Sequence, residues 1–247
     1  MPTPQKISEL DNNQLLAFAI DAFRRTLTHH ALWFREAEKE LGLEGAFEAE
    51  ERAFERGLPI HLKRLGKATG FEVSEGLPAA LKSMNPEQIL TLIDALSVNW
   101  LVNDGVWFQA VEETHDMATA KRCNDAAWSG YSPFEARRIK KLLDLPDEGG
   151  LEALARALEF RLYARVNEQA YEWQEDGSLI FRMVNCRVQA ARKRKGLDDY
   201  PCKSGGVVEY TTFAAAIDSR ILCECIACPP DEHPEGWFCA WRFTLSD

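Results

Sequence analysis

Five of the seven cysteines lie between Cys202 and Cys239, a density that points to shared chemistry. A tetrahedral thiolate site needs sulfurs converging at about 2.3 Å on one cation, and a two-residue gap lets a turn aim two of them inward. Cys225-Ile226-Ala227-Cys228 has that gap. Pro229 to Gly236 is a turn-rich connection, and Cys239 follows early in the next alternating run, so a hairpin would return a third sulfur to the first two. Cys202, after the loop Asp199-Tyr200-Pro201, is placed to supply the fourth. The expectation is Zn²⁺ at Cys202, Cys225, Cys228 and Cys239. Four protein sulfurs close the coordination shell and leave no position for water, so such a site staples a hairpin and does not catalyse. The same sulfurs suit an iron–sulfur cluster, and Cys186, Cys223 or His233 could replace one ligand. The plainer alternative is packed free thiols, because cysteine is often fully buried with no other role.

Other residues offer weaker chemistry. Trp100, Trp107 and Phe108 on one helix and Trp128 on the next could wall a small-molecule pocket, with Glu112 and His115 as its polar edge. The same aromatics suit ordinary core packing. Glu112-Glu113-Thr114-His115 has the Glu-x-x-His spacing of di-iron helices, but the chain has no second copy. His29 and His30 are adjacent on a helix and point about 100° apart, which prevents them from sharing a metal. Arg187, Arg192, Lys193, Arg194 and Lys195 form the densest basic cluster, either a receiver for a carboxylate or phosphate or a solvated helix face. No G-x-S-x-G elbow, phosphate loop or Gly-rich dinucleotide turn occurs, so no catalytic residue is assigned.

The elements that must position these groups fall into two regions. Asn85-Pro86-Glu87-Gln88 combines a cap, a first-turn proline and a capping-box Gln, after which Ile89, Leu92, Ile93, Leu96 and Trp100 recur at helical spacing. Ser132-Pro133-Phe134-Glu135 repeats the start signal, and Pro146 with Gly149-Gly150 ends that helix. Asn13 to Leu41 and Glu44 to Leu65 read as helices, with Gly57-Leu58-Pro59 breaking or kinking the second, and Leu151 to about Arg165 closes the helical part. Asp176-Gly177 then marks a hairpin turn joining Asn167–Gln174 to Ser178–Arg187. Short helices are expected at Val188–Lys195 and Val207–Ile217, and strands at Ser219–Ile226 and Trp237–Leu245. The expected fold is α+β: a helical domain over residues 1–165 packed on a C-terminal antiparallel sheet over residues 166–247, with a zinc-stapled hairpin.

Composition limits the partners. The chain has 247 residues, 46% of them hydrophobic, which is enough for a full core. Lys plus Arg number 29 against 39 Asp plus Glu, a formal charge of −10, so nucleic acid is not an expected partner. The most apolar stretch, Ile89 to Val111, is interrupted by Asp94, Asn99, Asn103 and Asp104, and the first residues lack an apolar leader. A cytoplasmic protein without a membrane partner is expected, and in a reducing compartment crowded cysteines favour metal over disulfides.

The order Cys202, 22 residues, Cys225-x-x-Cys228, then Cys239 resembles the zinc site of 4-vinyl reductase-type domains, although Cys225 stands where that family commonly has Glu. The resemblance covers roughly residues 165–247 and implies a mixed α/β ligand-binding fold with structural zinc. From residue 100 onward the chain also resembles an uncharacterised bacterial family of cytosolic proteins. The segments that carry this are Asn185-Cys186-Arg187-Val188-Gln189, Arg192 to Leu197, Tyr200-Pro201-Cys202, Cys228-Pro229-Pro230-Asp231, Cys239-Ala240-Trp241, Trp107 to Glu112 and Glu135 to Lys141. That family looks related to L-2-amino-thiazoline-4-carboxylate hydrolase-like proteins. The resulting expectation is a metal-binding protein that binds or senses a small organic molecule and reports it through a partner or a homodimer. The enzymatic alternative is hydrolysis of a small amide-like or cyclic substrate with Glu112, His115 or Asp218 as acid or base.

Overall fold

A computed structural model describes residues 4–194, 196 and 199–246. By contacts within the chain it divides into two units, Met1–Ser83 and Met84–Asp247.

The first unit is dominated by α1 (Asn12–Thr69), opened by a capping box in which the Asp11 side chain accepts from Gln14 N and Gln14 returns a bond to the Asp11 backbone. The helix is not straight. Gly42 has φ 73° and ψ 172°, a conformation that side chains rarely adopt, and the chain reverses there. His30 Nε2 lies 3.9 Å from Glu50 Oε1, and the Phe34 and Phe47 rings are 5.9 Å apart. Twenty residues of straight helix would span about 30 Å, so the two arms must fold back on each other. The break therefore falls at Gly42, in the gap expected between the helices Asn13–Leu41 and Glu44–Leu65, whereas Pro59, where a further break or kink was expected, lies inside the second arm. A small hairpin of β1 (Val73–Ser74) and β2 (Leu77–Pro78) and one turn of helix, α2 (Ala79–Lys82), complete this unit.

The second unit begins with α3 (Pro86–Thr114), whose Asn85/Gln88 capping box and first-turn Pro86 match the sequence signal. By length and composition α3 is apolar enough to cross a membrane, yet it carries Asp94, paired with Arg165 at 2.6 Å, and Asp104. The next helix, α4 (Met117–Leu143), starts 16 residues earlier than Ser132-Pro133 suggests. Asp116 caps it by accepting from Thr119 N at 2.6 Å, and Pro133 sits within the helix. Next comes α5 (Gly150–Glu159), which is followed by a 3₁₀ turn, Leu162–Arg165.

The sheet is antiparallel, in the order β3 (Glu168–Trp173), β4 (Leu179–Asn185), β6 (Cys239–Leu245), β5 (Ile221–Ala227). Alternation along β4 and β6 buries Phe181, Trp241 and Phe243 on one face, as the period of two requires. Between the strands lie α6 (Arg187–Arg194) and α7 (Lys203–Ile217). Helix α7 covers that face: Tyr210, Phe213, Ala214 and Ile217 are buried in one cluster with the sheet residues and with Leu154 and Leu158 of α5. Lys195 and Leu197, which belong to the expected basic helix and its flank, lie outside the described residues. The mixed helix-and-sheet class is as expected, with α3 to α5 in the same unit as the sheet.

A buried ion cluster ties α4, α7 and the turn after α5 together. Arg161 is 1% exposed and pairs with Glu135 of α4 at 2.8 Å and Glu209 of α7 at 2.7 Å. Its guanidinium also lies 4.7 Å from the Phe213 ring centroid. A buried charge of this kind is tolerated only when paired, so three separate segments must meet correctly for the fold to close.

Candidate functional site

Within the second unit a cavity of about 410 Å³ opens between the end of α3, the start of α4, α6, the start of α7 and the sheet. Its position follows from local sequence. Gly206 on α7 lies against the sheet so closely that a Cβ would sit 2.8 Å from Trp241 Cζ2, so glycine is what lets the helix approach there. Tyr210, one turn further along, stacks on Trp241 with centroids 4.7 Å apart. Trp128 stacks on Tyr163 at 5.6 Å, and Phe108 meets Tyr200 edge-on at 5.3 Å. These three aromatic pairs form much of the wall.

Polar groups interrupt the aromatics. Asp104 of α3 accepts from Asn124 Nδ2 at 3.1 Å, and burial raises its carboxyl above the usual range. Burial likewise pushes the Glu209 carboxyl up to about 7, against the opposing pull of Arg161. Lys121 pairs with Asp125 at 3.1 Å and stands 5.0 Å above the Tyr200 ring. Among the described residues, the Tyr200 hydroxyl, Asn167 Nδ2 and Trp241 Nε1 are buried without a hydrogen-bond partner, and all three residues line the cavity.

The thiols belong to the same place. Cys186, Cys202, Cys228 and Cys239 all line the cavity. Gln189 of α6 fixes the loop that carries Cys202: its Nε2 donates to Tyr200 O at 2.8 Å, its Oε1 accepts from Tyr200 N at 2.8 Å, and Nε2 reaches Cys202 Sγ at 3.5 Å. Cys202 Sγ and Cys228 Sγ are 3.5 Å apart. Either thiol can donate across this contact; it lowers the Cys202 pKa, while Cys228 is held far up by Cys202 and then by Cys239. Burial pushes the Cys186 thiol up to about 12 and that of Cys225 up to about 11.

Of the four expected zinc ligands, the structure therefore brings Cys202, Cys228 and Cys239 together on the cavity wall. Cys225 pairs with Trp241 in the sheet register and is not part of that wall. Among the described residues no group of three or more His, Cys, Asp or Glu is arranged to hold a metal ion. Cys223 sits further along β5, opposite Phe243. His233 pairs with Asp199 at 3.0 Å. The expected pocket residues divide in the same way. Glu112 and Trp128 line the cavity, whereas Trp100 packs behind it, stacked on Tyr131 at 5.6 Å and edge-on to Trp128 at 5.9 Å. Trp107 is 67% exposed, and His115 is the exposed C-terminal cap of α3. Asp218 is committed elsewhere: it accepts from the Gly150 amide and from the Arg220 guanidinium, which holds its carboxyl well below the usual range.

Sequence reasoning missed Glu209, Tyr200, Lys121 and Gln189. Only Glu209 left a signal: it stands four residues before Phe213 on the face of α7 that the apolar residues mark as buried.

A family model matches residues 8–86 and 82–245, nearly the whole described chain. The chain belongs to the family of unknown function DUF6125. No curated protein and no solved structure matches it. Membership of DUF6125 supports the reading of an uncharacterised family, and the match does not extend to a bacterial origin or to vinyl reductases or thiazoline hydrolases.

Proposed function

We propose that this DUF6125 chain binds a small organic molecule in the cavity of its second unit. The observation that carries this reading is the coincidence of three buried, unpartnered polar atoms, on Tyr200, Asn167 and Trp241, with one aromatic-walled cavity. Each such group costs about 1–3 kcal/mol when left unpaired, and a ligand that supplies acceptors would recover that. The volume and the mix of aromatic wall with a few polar groups are those of a small-molecule site. Two carboxyls raised by burial, Asp104 and Glu209, add groups able to exchange a proton with whatever enters.

The test is a thermal-shift screen of small aromatic and heteroaromatic acids and amides against the wild type and Ala191→Trp, which fills the cavity from α6. Compounds that raise the wild-type melting temperature and fail to raise that of Ala191→Trp support the reading. Hits that act equally on both proteins place binding elsewhere and reject it.

A second reading keeps Zn²⁺ at Cys202, Cys228 and Cys239, with Cys225 or Cys186 as the fourth ligand. The 3.5 Å sulfur separation favours it, since sulfurs at tetrahedral corners around zinc lie about 3.8 Å apart. About one zinc per desalted chain, lost in Cys228→Ser, supports this reading. A brown chromophore would replace it with iron–sulfur, and a metal-free folded protein would remove both.

A further inference from the structure

We propose that Cys202 and Cys228 form a redox-active dithiol that exchanges with small disulfides entering the cavity. The inference rests on the sulfur geometry and does not depend on the organic-ligand reading. Both cysteines are free thiols with their sulfurs 3.5 Å apart. A disulfide needs about 2.05 Å between sulfurs and backbones already side by side. The backbones meet that condition: Lys203 N donates to Pro229 O at 2.9 Å, one residue beyond each cysteine. The same two segments are tied by the Lys203–Asp231 ion pair at 2.8 Å and by Cys228 N donating to Asp231 Oδ2 at 3.2 Å. Closing the bond therefore asks for a sulfur movement of about 1.5 Å.

The two sulfurs are not equivalent. Cys202 precedes the 15-residue α7 without a side-chain bond to the helix amides, and its sulfur receives the Gln189 amide at 3.5 Å, which favours negative charge there. Both sulfurs lie on the cavity wall, but Cys228 is 1% exposed whereas Cys202 is only partly buried, so Cys202 is the first to meet an entering disulfide. This gives the order of events. The Cys202 thiolate attacks one sulfur of a disulfide R–S–S–R, forming a mixed disulfide Cys202–S–S–R and releasing RS⁻. Cys228 then attacks Cys202 Sγ, its proton passing to a released thiolate, and the second RS group leaves. The protein dithiol has lost two electrons and two protons to give Cys202–S–S–Cys228, and the small disulfide has become two RSH.

The experiment treats the full chain with bis(2-hydroxyethyl) disulfide, quenches with N-ethylmaleimide and maps the products by peptide mass spectrometry. The exposed Cys123 serves as an internal reference in the same molecule. A Cys202–Cys228 linkage that forms at least about tenfold faster than Cys123 is modified supports the proposal. In Cys228→Ser, the mixed disulfide should accumulate on Cys202. Modification of Cys202 no faster than Cys123, or pairing through Cys186 or Cys239 instead, overturns it. So does the absence of the linkage because a stoichiometric cation holds the sulfurs.

Discussion

The two units treat apolar side chains in opposite ways. In α1, 58 residues long, the buried residues are Ala46, Phe47 and Gly66, while Leu16, Ile20, Phe23, Leu27 and Trp33 are exposed. In the second unit Leu154, Leu158, Phe181, Phe213, Trp241 and Phe243 are each 1% exposed or less and join one continuous core. Apolar composition alone therefore says little about where a core forms. What separates the units is closure: the second has a sheet for α7 to cover and a buried Arg161 that joins α4, α7 and the turn after α5. The cavity and the thiols belong to the closed unit, where side chains can be held in place by the packed core.

The largest expected effect tests that contrast directly. Phe213→Ala, at a site with no exposure, should lower stability by about 3–5 kcal/mol through lost burial and a residual cavity. Phe23→Ala, at a site 52% exposed, should change it by about 0.5 kcal/mol or less. Urea unfolding of both variants gives the comparison. A loss at Phe23 as large as that at Phe213 would mean that the α1 face is covered in solution, and the contrast would collapse.

How much of this was legible depends on the range of the signal. The Asn85 capping box and the Asp176-Gly177 turn are local devices, and the helix and hairpin they announce are present. Ser132-Pro133 misleads for the same reason. A cap-plus-proline pattern reads identically whether or not a helix already precedes it, and Asp116 had started α4 upstream. At Gly57-Leu58-Pro59 the local breaker signal is overridden, while the gap read between Leu41 and Glu44 is where Gly42, with φ 73°, interrupts the helix. The cavity was the least legible part. Tyr200, Lys121, Gln189 and Glu209 come from four segments, and only the packing of α7 on the sheet brings them together. The cysteines lie between these extremes: spacing grouped Cys202, Cys225, Cys228 and Cys239 as ligands, and of these Cys202, Cys228 and Cys239 line the cavity, joined by Cys186.

A smaller effect concerns charge inside the closed unit. The Glu209 carboxyl is raised by burial from its ordinary value to about 7, so the folded state binds its proton more tightly than the unfolded chain does. Its contribution is fully present below the unfolded value of about 4.5 and is lost as pH rises through about 7. Stability measured by urea midpoint should therefore fall between about pH 5 and about pH 8 more steeply in the wild type than in Glu209→Gln. Equal slopes would show that Arg161 holds Glu209 ionised throughout, which would remove it as a proton-exchanging group in the cavity. In the open unit Glu36, an exposed partner of Lys39 and Arg35, should contribute no comparable slope, because solvent screens such pairs.

The smallest effect uses the same motif twice. Asp11/Gln14 and Asn85/Gln88 are capping boxes of matching geometry, with cap distances of 2.9 Å in both. Asn85→Ala removes the cap from a helix whose Ser97 and Leu101 are buried in the closed unit, so about 1 kcal/mol should appear in global unfolding. Asp11→Ala removes the cap from an arm with no buried residue before Ala46, so fraying there costs little elsewhere. Its effect should show as faster amide exchange over residues 12–20, with the urea midpoint unchanged. If both variants shift the midpoint equally, the first arm of α1 unfolds together with the rest of the chain and the two units are one cooperative body. If Asp11→Ala leaves exchange unchanged as well, that arm is held by contacts other than its own cap.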